Sequence, residues 1–171
     1  TYVTVPDYPD DYHHKALWIN NKITNIERTL LNVEHALTNY SDINWVIPVQ
    51  GWNNNPFSVV RSIMYYEEWG ILKKYNYYGI ANLCVSKKCS IIESTIKLAY
   101  PYLRNKKIHV FGIAINCLKN IKNYIYSFDS VAYTRPVSRL KKLGYNYSAK
   151  NYKQRELYFY EWIKSVEKYI Q

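Results

Sequence analysis

The chain has 171 residues, 48% of them apolar, and is long enough for one domain with a buried core. Its 23 Lys and Arg residues outnumber 13 Asp and Glu residues, and the formal net charge of +10 suits a polyanionic partner such as nucleic acid. No apolar run reaches the roughly 18 residues of a membrane span, and no signal-peptide pattern opens the chain, so we expect a cytoplasmic protein with no membrane partner.

In chain order, short β-prone runs alternate with longer helical patterns. The helical patterns show apolar residues at spacings of three and four, as in Ile26, Leu30 and Val33, and the β-prone runs are closed by Pro, Gly or polar residues. We predict strands over residues 2–5, 45–49, 77–81, 107–111 and 124–128. We predict helices over residues 15–38 and 55–74, from Ser90 to near Pro101, over 115–123, and from about residue 150 to the C-terminus.

Two helix starts carry capping signals. Asn55-Pro56 has the residue types of an N-cap followed by the first helical position. Ser90 and Glu93 have the spacing of a capping box. We therefore expect helices to begin at these two points.

Five strand–helix units in series predict an α/β fold with a parallel sheet and right-handed connections. Two architectures remain open: a doubly wound open sheet, or the larger part of an eight-stranded (β/α) barrel. A whole barrel usually needs about 250 residues, which this chain does not have. We expect residues 1–171 to form one domain, a partial or truncated (β/α)8 barrel with a C-terminal helix.

Carboxylate, amide and glycine residues, with a few apolar neighbours, lie at the C-terminal end of each predicted strand. Because the active sites of parallel α/β folds lie at the carboxyl ends of the strands, we expect these residues to form one site, with Asp7, Gln50 and Asp129 lining a common cavity. Glycines allow a flat ligand to approach the backbone, so the site suits a planar base read by hydrogen bonds. The residues are Asp7, Gln50, Gly51, Gly79, Ile80, Ala81, Asn82, Phe111, Gly112 and Asp129.

The segment around Asp129 is the most specific of these signals. Its carboxylate follows an apolar run, and Thr134, Arg135 and Arg139 come shortly after it. A nucleophile beside basic residues suits a phosphate-bearing substrate. Simpler roles stay open, because an Asp at this position, like Asp7, also fits a cap or turn. We interpret His109, which lies within a predicted strand, as a core residue.

Cysteine spacing gives no metal site. Cys84, Cys89 and Cys117 lack the close pairs of zinc ribbons and fingers, so we expect three reduced cytosolic thiols.

Five segments, in order, resemble the second half of the tRNA-guanine transglycosylase family, including its relatives that place 7-deazaguanines in DNA. In that family the corresponding motifs are a strand-end Asp, Val-Gln-Gly, Gly-Gly-Leu-Ala, Leu-Met-Gly-Val and Phe-Asp-Cys-Val-x-x-Thr-Arg. The segments here are Val5-Pro6-Asp7, Val49-Gln50-Gly51, Tyr78 to Leu83, His109 to Ile113, and Phe128-Asp129-Ser130-Val131 with Thr134-Arg135.

The resemblance implies a nucleophilic Asp129 and a base-binding site that includes Asp7 and Gln50. It implies tRNA or DNA as substrate, a free purine or 7-deazaguanine as the second substrate, and no cofactor in the chemistry. Family members hold a structural zinc through a Cys-x-Cys-x-x-Cys run and a later His, a pattern that this sequence lacks. The first three barrel strands of the family, with an upstream acid–base Asp, also have no counterpart here.

Two rival hypotheses stay open beside base exchange. One is an inactive or partial module that binds nucleic acid, as a homo-oligomer or with a partner chain that completes the barrel. The other is an unrelated doubly wound domain that binds a small molecule, although no phosphate-binding glycine loop is present. Lysines that serve only to solvate helix surfaces would explain the charge without any anionic partner.

Overall fold

The computed structural model describes residues 1–8, 24–52, 55–84, 86, 88–130 and 151–171. Five strands lie within the predicted strand regions, and the first and last are only two residues long: β1 Val3–Thr4, β2 Trp45–Val49, β3 Tyr77–Ile80, β4 Lys107–Val110 and β5 Ser127–Phe128. The helices are α1 Asn25–Asn39, α2 Ser58–Glu68, α3 Ile71–Lys74, α4 Cys89–Leu103, α5 Leu118–Ile121 and α6 Tyr152–Ile170. Two 3₁₀ turns, Ile115–Cys117 and Lys122–Tyr124, flank α5.

The sheet is parallel throughout, and its strand order, β1-β2-β3-β4-β5, follows the chain. Right-handed connections that always step in the same direction keep the helices on one face and let the sheet curl into a half barrel. A doubly wound sheet needs a reversal of strand order, which these five strands do not show. The structure therefore excludes the doubly wound alternative for this sheet.

The core lies between the sheet and the helices. Alternate strand residues face the helices, since successive side chains of a strand point to opposite faces. Ile47, Ile80 and Val110 are fully buried there, against helix residues such as Ile63 and Ile96, which are also fully buried. The other face of the strands is concave, and it carries His109 and Ser127 as a register pair.

Helix α1 begins at a capping box. The Thr24 hydroxyl accepts a hydrogen bond from the Glu27 N–H at 3.2 Å, and the Glu27 carboxylate accepts one from the Thr24 N–H at 2.7 Å. The predicted helix over 15–38 is confirmed from Asn25 onward. Its earlier part, residues 15–23, lies outside the described residues.

Helices α2 and α3 replace the single helix predicted over residues 55–74. The break lies at Gly70, whose φ of +72° is readily adopted by glycine and cannot continue a right-handed helix. The predicted start is also wrong, because α2 begins at Ser58. Asn55 instead accepts a hydrogen bond from the Phe57 N–H through its side chain, which makes a turn ahead of the helix.

Helix α4 starts near the predicted position without the predicted cap. No side chain caps it at Lys88, and Glu93 instead bonds Lys97 and Asn120.

A disulfide joins Cys89 to Cys117, with Cα atoms 5.0 Å apart. The expectation of three reduced thiols is therefore wrong for this pair. The cytoplasmic location stays a prediction, and the disulfide argues against it, because such bonds persist mainly in oxidising compartments.

The C-terminal helix is confirmed. Asn151 caps α6 by accepting a hydrogen bond from the Gln154 N–H at 3.2 Å, and Val166 is the residue that α6 buries. Among the described residues, no helix combines the length and the apolar composition needed to cross a membrane.

Candidate functional site

The predicted site residues lie at or just past the carboxyl ends of the strands, which meet at one edge because the sheet is parallel. Backbone bonds continue just past the strands: the N–H of Ala81 donates to the Val49 carbonyl, that of Phe111 to Ile80, and that of Asp129 to Val110. The chain thus stays in register at this edge, so the loops that leave neighbouring strands begin side by side.

Asp7 and Gln50 are in direct contact. The Gln50 Nε2 donates to Asp7 Oδ2 at 2.8 Å and to the Tyr8 carbonyl at 2.9 Å, while Gln50 Oε1 accepts from the Gly51 N–H at 3.1 Å. Gln50 is only 1% exposed. Since both Nε2 hydrogens already have acceptors, Gln50 must exchange a partner before it can donate to a ligand.

Helix α1 positions the segment that carries Asp7. The Asn32 amide donates to the Pro6 carbonyl at 2.9 Å, and the Tyr8 N–H donates to the Thr29 hydroxyl at 3.0 Å. The Arg28 guanidinium lies 3.6 Å from the centroid of the Tyr8 ring. The aspartate therefore sits in a defined, partly buried setting. Burial raises the pKa of Asp7, and hydrogen bonds from its own N–H and from Gln50 oppose this rise.

The Phe111 ring packs directly against Gly79 on the neighbouring strand. A Cβ at Gly79 would lie 2.3 Å from Phe111 Cε2, so only glycine lets the ring lie against β3. Ile80, also predicted in the site, is fully buried within the core cluster. Its side chain belongs to the core, which leaves only its backbone for any contact at the rim.

Asn82 ties the loop after β3 to the loop after β2. Its φ is +62°, a left-handed conformation that Asn tolerates better than most residues, and its Nδ2 donates to the Gly51 carbonyl at 2.9 Å. The two loops border a small cleft of about 10 Å³, which Trp52 and Ala81 also line. Neither Asp7 nor Asp129 borders this cleft. A common cavity for Asp7, Gln50 and Asp129 stays a prediction.

Asp129 lies just past β5, and its side chain is 56% exposed. Its Oδ1 accepts a short hydrogen bond from the Gly112 N–H, and its Oδ2 lies 3.7 Å from His109 Nε2. Gly112 has a φ of +65°, which suits glycine. The His109 imidazole, and then the Gly112 N–H, hold the pKa of Asp129 below the usual aspartate value against the effect of partial burial. The carboxylate is therefore charged at neutral pH.

His109 was interpreted from the sequence as a core residue. It does lie in a strand, but on the concave face, with its ring centroid 4.5 Å from that of Phe111. Its Nδ1 is 2.8 Å from the Ser127 hydroxyl, which is 2.7 Å from the Tyr77 hydroxyl. Sequence reasoning missed this group. The i, i+2 spacing of polar and aromatic residues in β4 and β5 was the available signal.

Thr134, Arg135 and Arg139, predicted to bind nucleic acid, lie outside the described residues. Their role stays a prediction.

Within the described ranges, no group of three or more His, Cys, Asp or Glu side chains could hold a metal ion.

No family model matches this chain, and no curated protein matches it. The resemblance to transglycosylases therefore depends on the five short motifs and their order alone.

Proposed function

We propose that this chain takes part in base exchange on tRNA or DNA, replacing a guanine by a 7-deazaguanine through a covalent bond to Asp129. The main support is a charged Asp129 carboxylate at the carboxyl edge of a parallel half barrel. The same edge carries the Asp7–Gln50 pair. Asp7 has acceptor oxygens for the edge of a base, and Gln50 can donate to the base once it exchanges one of its present acceptors, Asp7 or the Tyr8 carbonyl.

The first step is a displacement at the sugar. An Asp129 oxygen bonds to the anomeric carbon as the bond from that carbon to guanine breaks. The electron pair of the broken bond leaves with the base, which takes a proton from water. The product is a glycosyl ester of Asp129.

The second step reverses the first with a different base. The ring nitrogen of the incoming base loses its proton to water and bonds to the anomeric carbon, and the ester electrons return to Asp129. Two displacements on opposite faces retain the configuration of the sugar. The target base must leave its stack before the first step, because the anomeric carbon is otherwise shielded by the neighbouring bases.

The test is Asp129→Asn, which keeps the shape of the side chain and removes the attacking charge. We expect loss of labelled-guanine exchange by at least about 10⁴-fold, and loss of a covalent protein–nucleic acid adduct on a denaturing gel. The matched control is Asp42→Asn, at an exposed position, and this variant should behave as wild type. Wild-type exchange by Asp129→Asn would rule out Asp129 as the nucleophile.

A second candidate is a partial barrel that acts only when another chain completes it. The five-stranded half barrel in the described residues favours this candidate. It predicts that the wild-type chain binds nucleic acid but gives neither exchange nor adduct until a second polypeptide supplies the remaining strands.

A further inference from the structure

Asp129 is one end of a row of polar side chains on the concave face. His109 Nε2 faces the carboxylate at 3.7 Å, His109 Nδ1 lies 2.8 Å from Ser127 Oγ, and Ser127 Oγ lies 2.7 Å from the Tyr77 hydroxyl. The row crosses three neighbouring strands, β3, β4 and β5, through the register pair His109 and Ser127. Base exchange as described above uses only Asp129 of these four residues.

The chemistry of the groups fixes the direction of this row. A negative carboxylate attracts a proton toward the side of the ring that faces it, so we assign the proton of a neutral His109 to Nε2, which lies 3.7 Å from Asp129 Oδ2. Nδ1 is then an acceptor, and Ser127 must donate to it. The Ser127 oxygen in turn accepts from the Tyr77 hydroxyl. With these assignments Tyr77 donates to Ser127, Ser127 donates to His109 Nδ1, and the ring is held with Nε2–H toward Asp129.

We infer that His109 is a positioning residue for Asp129, held by Ser127 and Tyr77 so that the carboxylate is fixed between the imidazole and the Gly112 N–H. This inference rests on the proposed function for its consequence, since a nucleophile must be ionised and aimed. The positioning itself is a property of the free protein.

Among the described residues, the other charged and titratable groups near this face do not replace His109. Lys107 shares the concave face of β4, but its Nζ lies toward the opposite strand end, 4.8 Å from the Tyr126 ring centroid and 5.6 Å from that of Tyr2. Tyr77 contacts Ser127 and not the carboxylate. In the described part of the chain, Asp129 is therefore held by His109 and by one backbone N–H.

The experiment compares His109→Phe, which keeps a ring without a donor, with His109→Gln, which restores an N–H donor. Carboxyl-carbon NMR follows the titration of Asp129, assigned with Asp129→Asn. We expect His109→Phe to move the Asp129 midpoint to higher pH and His109→Gln to return it toward wild type. His35→Phe, at an exposed position on α1, should leave it unchanged. An unchanged midpoint in His109→Phe would overturn the inference.

If His109→Phe fails to fold by circular dichroism, Ser127→Ala decides the question. It frees the ring without removing it, and the Asp129 midpoint should move in the same direction by less. No movement in this variant would overturn the inference.

Exchange assays then separate this inference from the proposed function. If the wild type is active, His109→Phe should lose about 10- to 100-fold in exchange rate, since displacement of a reacting group by about 1 Å has costs of up to that size. A wild type that shows no exchange, but whose Asp129 midpoint moves in His109→Phe, would refute base exchange by this chain alone and leave the positioning role standing.

Discussion

At the residue scale, two carboxylates at one sheet edge have opposite pKa shifts. Burial raises the pKa of Asp7, whereas the His109 imidazole and the Gly112 N–H lower that of Asp129. Such separation is how acid and base roles are divided between like residues in enzyme sites. This separation of pKa values suits the proposed roles, in which Asp129 attacks as an anion and Asp7 forms hydrogen bonds with a base.

The shift of Asp7 has a consequence for stability. The folded state holds the Asp7 proton more tightly than the unfolded chain does, so the stabilisation is present at low pH and is lost as the pH rises through the raised pKa. Above that range the wild type carries a partly buried charge. Asp7→Asn removes this charge and keeps an acceptor for Gln50, so we expect it to unfold at higher urea concentration than wild type at neutral pH.

The gain from Asp7→Asn should shrink as the pH falls toward the ordinary aspartate pKa of 3.8. Urea unfolding at several pH values measures this change, and Asp42→Asn, at an exposed position, is the control. A gain that does not change with pH would mean that packing, and not charge, distinguishes the variant.

At the element scale, helix starts depend on more than local signals. Asn55 and Ser90 have N-cap chemistry, yet α2 begins at Ser58 and α4 begins at Cys89. At Asn55 a local bond replaces the cap, because the Asn55 side chain accepts from the Phe57 N–H. At Ser90 a tertiary contact competes with the cap, because Glu93 bonds Asn120. The capping box at Thr24 does form, because the Glu27 carboxylate accepts its hydrogen bond from the N–H of Thr24 itself.

The Cys89–Cys117 disulfide ties the start of α4 to the 3₁₀ turn that precedes α5, across a sequence separation of 28 residues. Because a cross-link of this kind restricts the unfolded chain, we expect its reduction to lower the free energy of unfolding by about 2–4 kcal/mol. Urea unfolding with and without reductant measures the loss. A Cys89→Ser, Cys117→Ser double variant should not respond to reductant. Two additional reactive thiols in the untreated, denatured protein would show that the bond does not form.

At the scale of the whole molecule, the net charge of +10 is the reason to predict an anionic partner. Lysines that neutralise phosphates release counterions, so log K for nucleic acid should fall linearly with log salt concentration. The slope should be about −0.9 for each phosphate contact on duplex and about −0.7 on single strands. Fluorescence anisotropy with labelled tRNA and DNA measures it. Affinity independent of salt would mean that the lysines serve solubility alone.

The sequence by itself determined the α/β class, the positions of the five strands and the C-terminal helix. These features depend on local periodicity, which a single segment carries. It also identified Asp7, Gln50 and Asp129 as strand-end residues, because parallel strands place their carboxyl ends at one edge.

Only the tertiary structure decided the strand order, which distinguishes a half barrel from a doubly wound sheet, and the pairing of Cys89 with Cys117. It also decided that His109 faces Asp129, since that contact depends on the register of β4 against β5, set by residues 18 positions apart in the chain. The tertiary structure also decided the opposite pKa shifts of Asp7 and Asp129. Burial and neighbouring dipoles arise only when distant segments pack together.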